Sequence, residues 1–463
     1  NKMLKFGTDG WRAVISDEFT FDNVRKVARA VTLYLIGHGL AKRPLIVGYD
    51  PRFLADKFAE EMIKVASAAG INCLLTERDT PTPIVAWSVT HKKAAGAVML
   101  TASHNPPQYC GIKFIPEYAG PADETITAEL QENSNKTITL PTASTKGNIE
   151  RFEPRAEYFA AIKQFVDVDL IRQAKIKVVY DPMHGSGRGY MDHLLQDVGC
   201  QVEVIHGHRD VLFGGQNPEP ADEGLGVLKE QVVKTSAQIG LANDGDADRF
   251  GVVDEKGAFL GANQIIPLVL DYLVREKGYT GSTVRSIATT HLIDRVAALH
   301  KIKVHETPVG FKYIAQIMMK EPVIVGGEES GGLSIKGHIP EKDGLLANLL
   351  MVEMLAKYKK PLSVIWQDLI ARTGEVFGSR RKLELSPQAK ESFMEKLKQT
   401  PPSTVRGIKV QKVAKVDGVK LLLEDGSWVL ARPSGTEPII RIYAEAGDPA
   451  KAQAILEEVA KNG

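Results

Sequence analysis

The 463-residue chain has only three cysteines, Cys73, Cys110 and Cys200, and they lie far apart. Their number and spacing supply neither a zinc pattern nor a disulfide framework, which suits a reducing compartment, so a cytoplasmic location is expected. Net charge is nearly absent too: 58 Lys and Arg stand against 57 Asp and Glu, leaving +1. Such a balance gives no general field for nucleic acid or an anionic membrane, and neither is expected as a partner. No apolar run approaches the roughly 20 residues of a membrane span. Asn1-Lys2-Met3-Leu4-Lys5 leads into no hydrophobic stretch of the signal-peptide kind. What remains is ordinary globular material, 43% hydrophobic and 25% charged, long enough for about three domains with four allowed.

Short apolar runs alternate with amphipathic stretches, the texture of α/β architecture with mainly parallel strands. Leu45–Tyr49 and Gly96–Leu100 read as buried strands. Between Phe21 and Gly37, Val24, Val27, Ala28, Val31 and Leu35 keep helical spacing. The same grammar restarts at Lys177–Tyr180 and again at Arg285–Thr289, which suggests an internal repeat that too few identities support. The last ~90 residues carry strands at Ile408–Val413, Gly418–Leu423 and Trp428–Ala431, then a helix from Pro449. The expected architecture is three consecutive mixed α/β domains, 1–150, 151–255 and 256–372, and a C-terminal α+β domain, 373–463.

Four loops carry chemistry. Thr101-Ala102-Ser103-His104-Asn105-Pro106 follows a buried strand, where α/β proteins usually place their sites, and Ser103 is a potential nucleophile or phosphoryl carrier. Asn243-Asp244-Gly245-Asp246-Ala247-Asp248-Arg249 brings three alternating carboxylates out of another strand, oxygen ligands for a hard divalent cation. An EF-hand fits poorly, because Arg249 occupies the position that needs glycine and both flanks read as strands. Open positions make magnesium beside a phosphate a better match than a calcium cage. Gly326-Gly327-Glu328-Glu329-Ser330-Gly331-Gly332 suits hydrogen bonding to vicinal hydroxyls, and the following His338 and Lys342 could aim into the same cleft. Arg432-Pro433-Ser434-Gly435-Thr436-Glu437, with Arg441, has the parts of an anion nest. Gly185-Ser186-Gly187-Arg188-Gly189 lacks the GxGxxG spacing and reads as tight strand–helix packing instead of dinucleotide binding.

In order and combination these loops resemble the α-D-phosphohexomutases, the superfamily of phosphoglucomutase and phosphomannomutase. Phe6–Arg12, Gly111–Phe114 and Thr307–Lys312 extend the resemblance over nearly the whole chain. It implies four domains around one central cleft. It also implies a phosphorylated Ser103, Mg2+ held by Asp244, Asp246, Asp248 and a Ser103 phosphate oxygen, and a hexose 1,6-bisphosphate intermediate. Net, phosphate would move between C1 and C6 of glucose or mannose. Arg12 and Arg249 would offset the charge on the transferred group. Lys113 would be the base, its pKa lowered by cationic neighbours, and His338 a further catalytic candidate. Thr8, His104, Val309, Gly310, Glu328, Ser330 and Lys342 would touch the phosphosugar, and Arg432, Ser434, Gly435, Thr436 and Arg441 its distal phosphate. The chain would act as a monomer or homodimer. Some members carry a histidine where this chain has Gly332, and the pattern here is nearer to phosphoglucomutases than to phosphoglucosamine mutases. Phosphoglucosamine mutase, a non-catalytic sugar-phosphate-binding paralogue and a metal-dependent phosphatase are the competing readings.

Overall fold

A computed structural model describes residues 2–435 and 437–462. Its strands form four sheets. The first holds β1 (Trp11–Val14), β2 (Leu45–Tyr49), β3 (Cys73–Thr76), β4 (Gly96–Leu100), β5 (Tyr109–Pro116) and β6 (Ile149–Phe152), in the order β1-β5-β4-β2-β3-β6. The second holds β7 (Lys177–Asp181), β8 (Gln201–Val204), β9 (Ile239–Asn243), β10 (Phe250–Val253) and β11 (Phe259–Leu260), ordered β11-β10-β9-β7-β8. The third holds β12 (Ser282–Ser286), β13 (Val304–Thr307), β14 (Val323–Glu328) and β15 (Gly332–Ile335), ordered β13-β12-β14-β15.

These orders contain one motif three times: β5-β4-β2-β3, β10-β9-β7-β8 and β15-β14-β12-β13. In each, three strands run parallel and the fourth returns antiparallel through a hairpin. The sheets are therefore mixed, with the parallel core that the run pattern suggested. The hairpins β4–β5, β9–β10 and β14–β15 carry the Ser103, aspartate and Glu328 loops. Topology shows the repeat that residue identities could not, and it puts three chemical loops at equivalent places.

The fourth sheet is antiparallel throughout: β16 (Phe377–Glu384), β17 (Thr404–Val405), β18 (Ile408–Ala414), β19 (Val419–Leu423), β20 (Trp428–Pro433) and β21 (Ile439–Ala446), ordered β16-β21-β20-β19-β18-β17. β16 has no hydrophobic run to announce it. Two expected domain cuts fall inside sheets: β6 straddles 150 within the first, and β11 lies beyond 255 within the second. The strand expected at Arg285–Thr289 lies at Ser282–Ser286. Its alternation is polar apart from Val284, whereas the apolar Ile287 and Ala288 pack against Trp428 and Leu430 of the fourth sheet.

The helices follow their sequence signals. Phe21–Gly37 starts at Thr20, whose side chain accepts from Asn23 N at 3.2 Å, and buries the Val24, Val27, Ala28, Val31 and Leu35 stripe. Helix Gly344–Tyr358 is apolar on all sides because it is buried on all sides, against the second and third units. Asp343 caps it, accepting from Leu345 and Leu346 N. One continuous core joins the second and third units, while the first and fourth keep their own.

Candidate active site

A cleft of about 580 Å³ opens between the sheets, lined by residues of all four units. Thr8, His104, Arg249, Val309, Gly310, Glu328, Ser330, Lys342, Arg432 and Arg441 all face it.

Ser103 lies just beneath this wall, buried and in left-handed backbone (φ 51°), a conformation that costs energy for a residue with a Cβ. Its Oγ donates to Asp244 Oδ2 at 2.8 Å, so the Ser103 and aspartate loops touch. Gly245 permits this approach: a Cβ there would sit 2.5 Å from the Ser103 carbonyl oxygen.

Sequence reasoning missed the device that sets the serine. Arg52, fully buried, pairs with Asp50 at 3.1 Å and donates to the carbonyls of Ser103, Asn105, Pro106 and Tyr109 at 2.8–3.0 Å. Thr101 Oγ1 completes it, donating to Asp50 at 2.6 Å and accepting from Ser103 N. Burial pushes the Asp50 carboxyl up to about 6, against the pull of Arg52. The available signal was position, since Asp50-Pro51-Arg52 follows directly on a parallel strand.

Asp244, Asp246 and Asp248 are all buried and offer one oxygen each within 4.8 Å of one another. Burial and mutual repulsion raise the pKa of Asp244 and Asp246, while Lys342, Lys113 and Arg249 hold Asp248 low despite burial. Thr82, from the first unit, donates to Asp246 Oδ2 at 2.6 Å. Oδ1 of Asp246 and of Asp248 are buried without a hydrogen-bond partner. Unpartnered carboxylate oxygens in a low-dielectric site are costly, and an all-oxygen set of this charge fits a hard cation such as Mg2+.

Lys113 Nζ stands 3.6 Å from Asp248 and 3.8 Å from Glu341, a fully buried carboxylate that the loop pattern did not single out. Its expected pKa lowering does not occur. Burial pulls it down and Lys342 helps, but Glu341, Asp248 and Asp9 together raise it. Lys342 Nζ lies 3.5 Å from Asp248 and 3.8 Å from Asp9. Its methylenes fill the space beside Gly332, where a Cβ would come within 2.3 Å of Lys342 Cδ. Gly332, where some of the resembled proteins carry a histidine, is thus the partner of this lysine. Arg12 Nη1 donates to Asn105 Oδ1 at 2.7 Å. His104 is held neutral, its pKa pulled down to about 2 by Arg249, burial and Arg12.

Glu328 Oε1 accepts from Gly310 N at 2.8 Å, and burial, with Glu329 beside it, raises its pKa to about 7. Arg432 and Arg441 stand opposite one another on β20 and β21. Like charges so placed repel, which an anion between them would relieve. Asp417 Oδ2, also missed, joins Arg432 Nε (2.8 Å) to Val309 N (3.0 Å) and so ties the fourth unit to the third.

Three expectations are corrected or bounded. His338 does not enter the cleft: its Nε2 pairs with Asp343 at 2.8 Å, its ring meets Phe165 edge-on, and its side chain is almost fully buried. Asp343 caps helix Gly344–Tyr358 through Oδ1, and its Oδ2 holds the imidazole away from the cleft. Ser434 and Gly435 do not line the cleft; Ser434 turns back, accepting from Glu437 N. Thr436 lies outside the described residues.

Comparisons with known proteins agree in every segment. Family models described as phosphoglucomutase/phosphomannomutase match as alpha/beta/alpha domain I over 3–140, domain II over 156–257, domain III over 261–373 and the C-terminal domain over 394–462. A Thermococcus kodakarensis protein named phosphoglucomutase/phosphomannomutase is 32% identical across 98% of this chain and 96% of its own length. A Methanobrevibacter smithii protein named "Probable phosphoglucosamine mutase" is 31% identical across 98% and 97%. A Thermus thermophilus crystal structure described as that of a "putative phosphomannomutase" superposes over 100% of this chain and 99% of its own with a TM-score of 0.87 at 34% identity.

Proposed function

The chain belongs to the phosphoglucomutase/phosphomannomutase family, and on that premise we propose that it interconverts hexose 1-phosphate and hexose 6-phosphate of glucose, mannose or both, with Ser103 as phosphoryl carrier. The observation that carries this reading is the Ser103 Oγ–Asp244 contact, set in a cluster of three buried carboxylates beside one cleft that Glu328, Ser330, Arg432 and Arg441 line.

Phosphoserine 103 would lose its P–Oγ bond as a free sugar hydroxyl forms a new P–O bond, giving the hexose 1,6-bisphosphate. Turned end for end, the bisphosphate would return its other phosphate to Ser103. Asp244, Asp246 and Asp248 would hold Mg2+, which supplies charge neutralisation for the transferred group. Arg12 and Arg249 would offset the remaining charge from the other sides. Arg432 and Arg441 would grip the phosphate that does not react, while Glu328 and Ser330 hold the sugar hydroxyls. Asp248 is one of three carboxylates that keep the proton on Lys113. With Asp248 committed to a cation, only Glu341 and Asp9 would remain to do so, and Lys113 becomes a better acceptor for the hydroxyl proton.

The Gly327-Glu328-Glu329-Ser330 pattern with Gly332, nearer to phosphoglucomutases than to phosphoglucosamine mutases, supports glucose and mannose over glucosamine as the sugar. The test is a panel of glucose, mannose and glucosamine 1-phosphates, each primed with the matching bisphosphate. Turnover of glucose or mannose 1-phosphate at least tenfold above glucosamine 1-phosphate is expected; the reverse order would reassign the sugar.

A further inference from the structure

Behind the Ser103 and aspartate loops, away from the cleft, three more side chains of ligating type converge. His184 lies in the turn after β7, and His208 and Asp210 in the loop after β8. One ligating atom from each lies within 4.8 Å of the others. We propose that His184, His208 and Asp210 form a second cation site, separate from the aspartate triad, that takes a borderline transition-metal ion such as Zn2+ or Co2+.

The donor set separates the two sites. Three carboxylates favour Mg2+, whereas two imidazoles and one carboxylate favour Zn2+, Co2+ or Ni2+. Orientation supports ligation as well. His184 is buried, and its Nδ1 lies 3.0 Å from the carbonyl oxygen of His208. A carbonyl only accepts, so Nδ1 carries the proton and Nε2 keeps its lone pair, the arrangement of metal-binding histidines. Beside that Nε2 stands Gly214, where a Cβ would come within 3.1 Å. The glycine leaves the approach to the nitrogen open. Asp210 is fixed by backbone donors, Leu212 N to Oδ1 at 2.9 Å and Gly214 N to Oδ2 at 3.0 Å, and each oxygen retains a lone pair. His206, whose ring also borders His184, is committed to Asp181 through Nδ1 at 3.0 Å and stays outside the set.

The place of the site suggests a brace. Arg209, between the ligands, donates to Pro51 O at 3.2 Å, and the Phe213 ring lies 5.0 Å from the Arg52 guanidinium that holds the Ser103 loop. On the other side, Ser186 N donates to Gly245 O at 2.9 Å, behind the aspartates. An ion joining His184 to His208 and Asp210 would pin the β8 loop to the β7 turn at the rear of both chemical loops, with no step of its own in the reaction.

The full chain in excess Mg2+, which fills the triad, should take up one Co2+ with the visible absorption of histidine ligation, and Zn2+ should displace it. His208→Ala and Asp210→Asn should each weaken Co2+ at least about tenfold and abolish the rise in melting temperature that Zn2+ gives. Asp246→Asn should leave Co2+ uptake intact. His208 is exposed, so its replacement spares the core. No Co2+ uptake by the wild type in Mg2+, or equal uptake by His208→Ala and Asp210→Asn, would overturn the site and leave the edge-on His184–His208 contact as ring packing alone.

Discussion

The wall that holds Ser103 and the wall that holds Arg432 are built on different plans. Ser103, Asp244, Asp246 and Asp248 are buried, and bonds fix them: Ser103 to Asp244 and Thr82 to Asp246 between units, and Arg52 under four carbonyls within the first. Arg432 and Arg441 ride on a separate antiparallel sheet with its own core. That sheet meets the third unit through a small apolar patch, Ile287, Ala288, Trp428 and Leu430, and through polar ties. Lys420 Nζ reaches Ile287 O and His291 Nε2 at 2.8 Å and Glu306 at 3.0 Å, while Asp417 joins Val309 to Arg432. On the proposed function, the wall where bonds would be made and broken is buried, and the wall that would hold the idle phosphate has polar, separable support. A cycle that must turn its intermediate round needs both.

The comparison breaks most sharply at the metal loop. Asp246→Asn, or exhaustive EDTA treatment, should cut turnover by about 10³-fold or more, because a bound cation supplies several kcal/mol of charge stabilisation. Activity persisting after EDTA would remove the cation from the account. Next comes the frame around the serine. Arg52→Lys keeps a charge beside Asp50 but loses the planar fork that spans four carbonyls. It should lower kcat by about 100-fold and leave KM nearly unchanged, and Arg52→Ala should not do better. A change in KM alone would make Arg52 a purely structural residue.

At the holding wall, Arg432→Ala should weaken a hexose 1-phosphate and its 6-phosphate by similar factors, roughly 10 to 100, the value of a charge-assisted hydrogen bond. Calorimetry with both isomers on Ser103→Ala protein checks this, and a loss confined to one isomer would show a fixed orientation. The smallest effect belongs to the docking lysine. Burial, with Arg285 nearby, lowers the Lys420 pKa from 10.5 to about 8. Between those values the unfolded chain binds more protons than the folded one, so this group makes stability rise with pH across that window. From pH 8 to 9 the wild type should gain about 1 kcal/mol relative to Lys420→Met in urea unfolding. Parallel pH profiles would mean that Lys420 titrates normally.

Much of this was legible because strand ends and loops speak locally. The strands flanking the three-Asp loop and the apolar spacing of the Phe21–Gly37 helix are short-range signals, and the structure reproduces them. What escaped depends on distant partners. Nothing near Asp50-Pro51-Arg52 reveals that the arginine will cradle residues 103–109. Asp417 sits in an ordinary Val-Asp-Gly turn. His338 is expected in the cleft because it shares with Lys342 the loop before a long apolar helix, yet its nearest demand is the Asp343 cap. The direction of the Lys113 pKa failed for a related reason: the loops show which cations are near, while Glu341 arrives from the third unit and Asp9 from the far end of the first.

The central claim is that phosphate passes through Ser103. Wild-type protein treated with hexose 1,6-bisphosphate, digested and mapped by mass spectrometry should carry one phosphoryl group on the Ser103 peptide. Adding hexose 1-phosphate should discharge it in step with bisphosphate formation, and Ser103→Ala should show neither the label nor turnover. Full mutase turnover with an unlabelled Ser103 peptide, or in Ser103→Ala, would contradict the account.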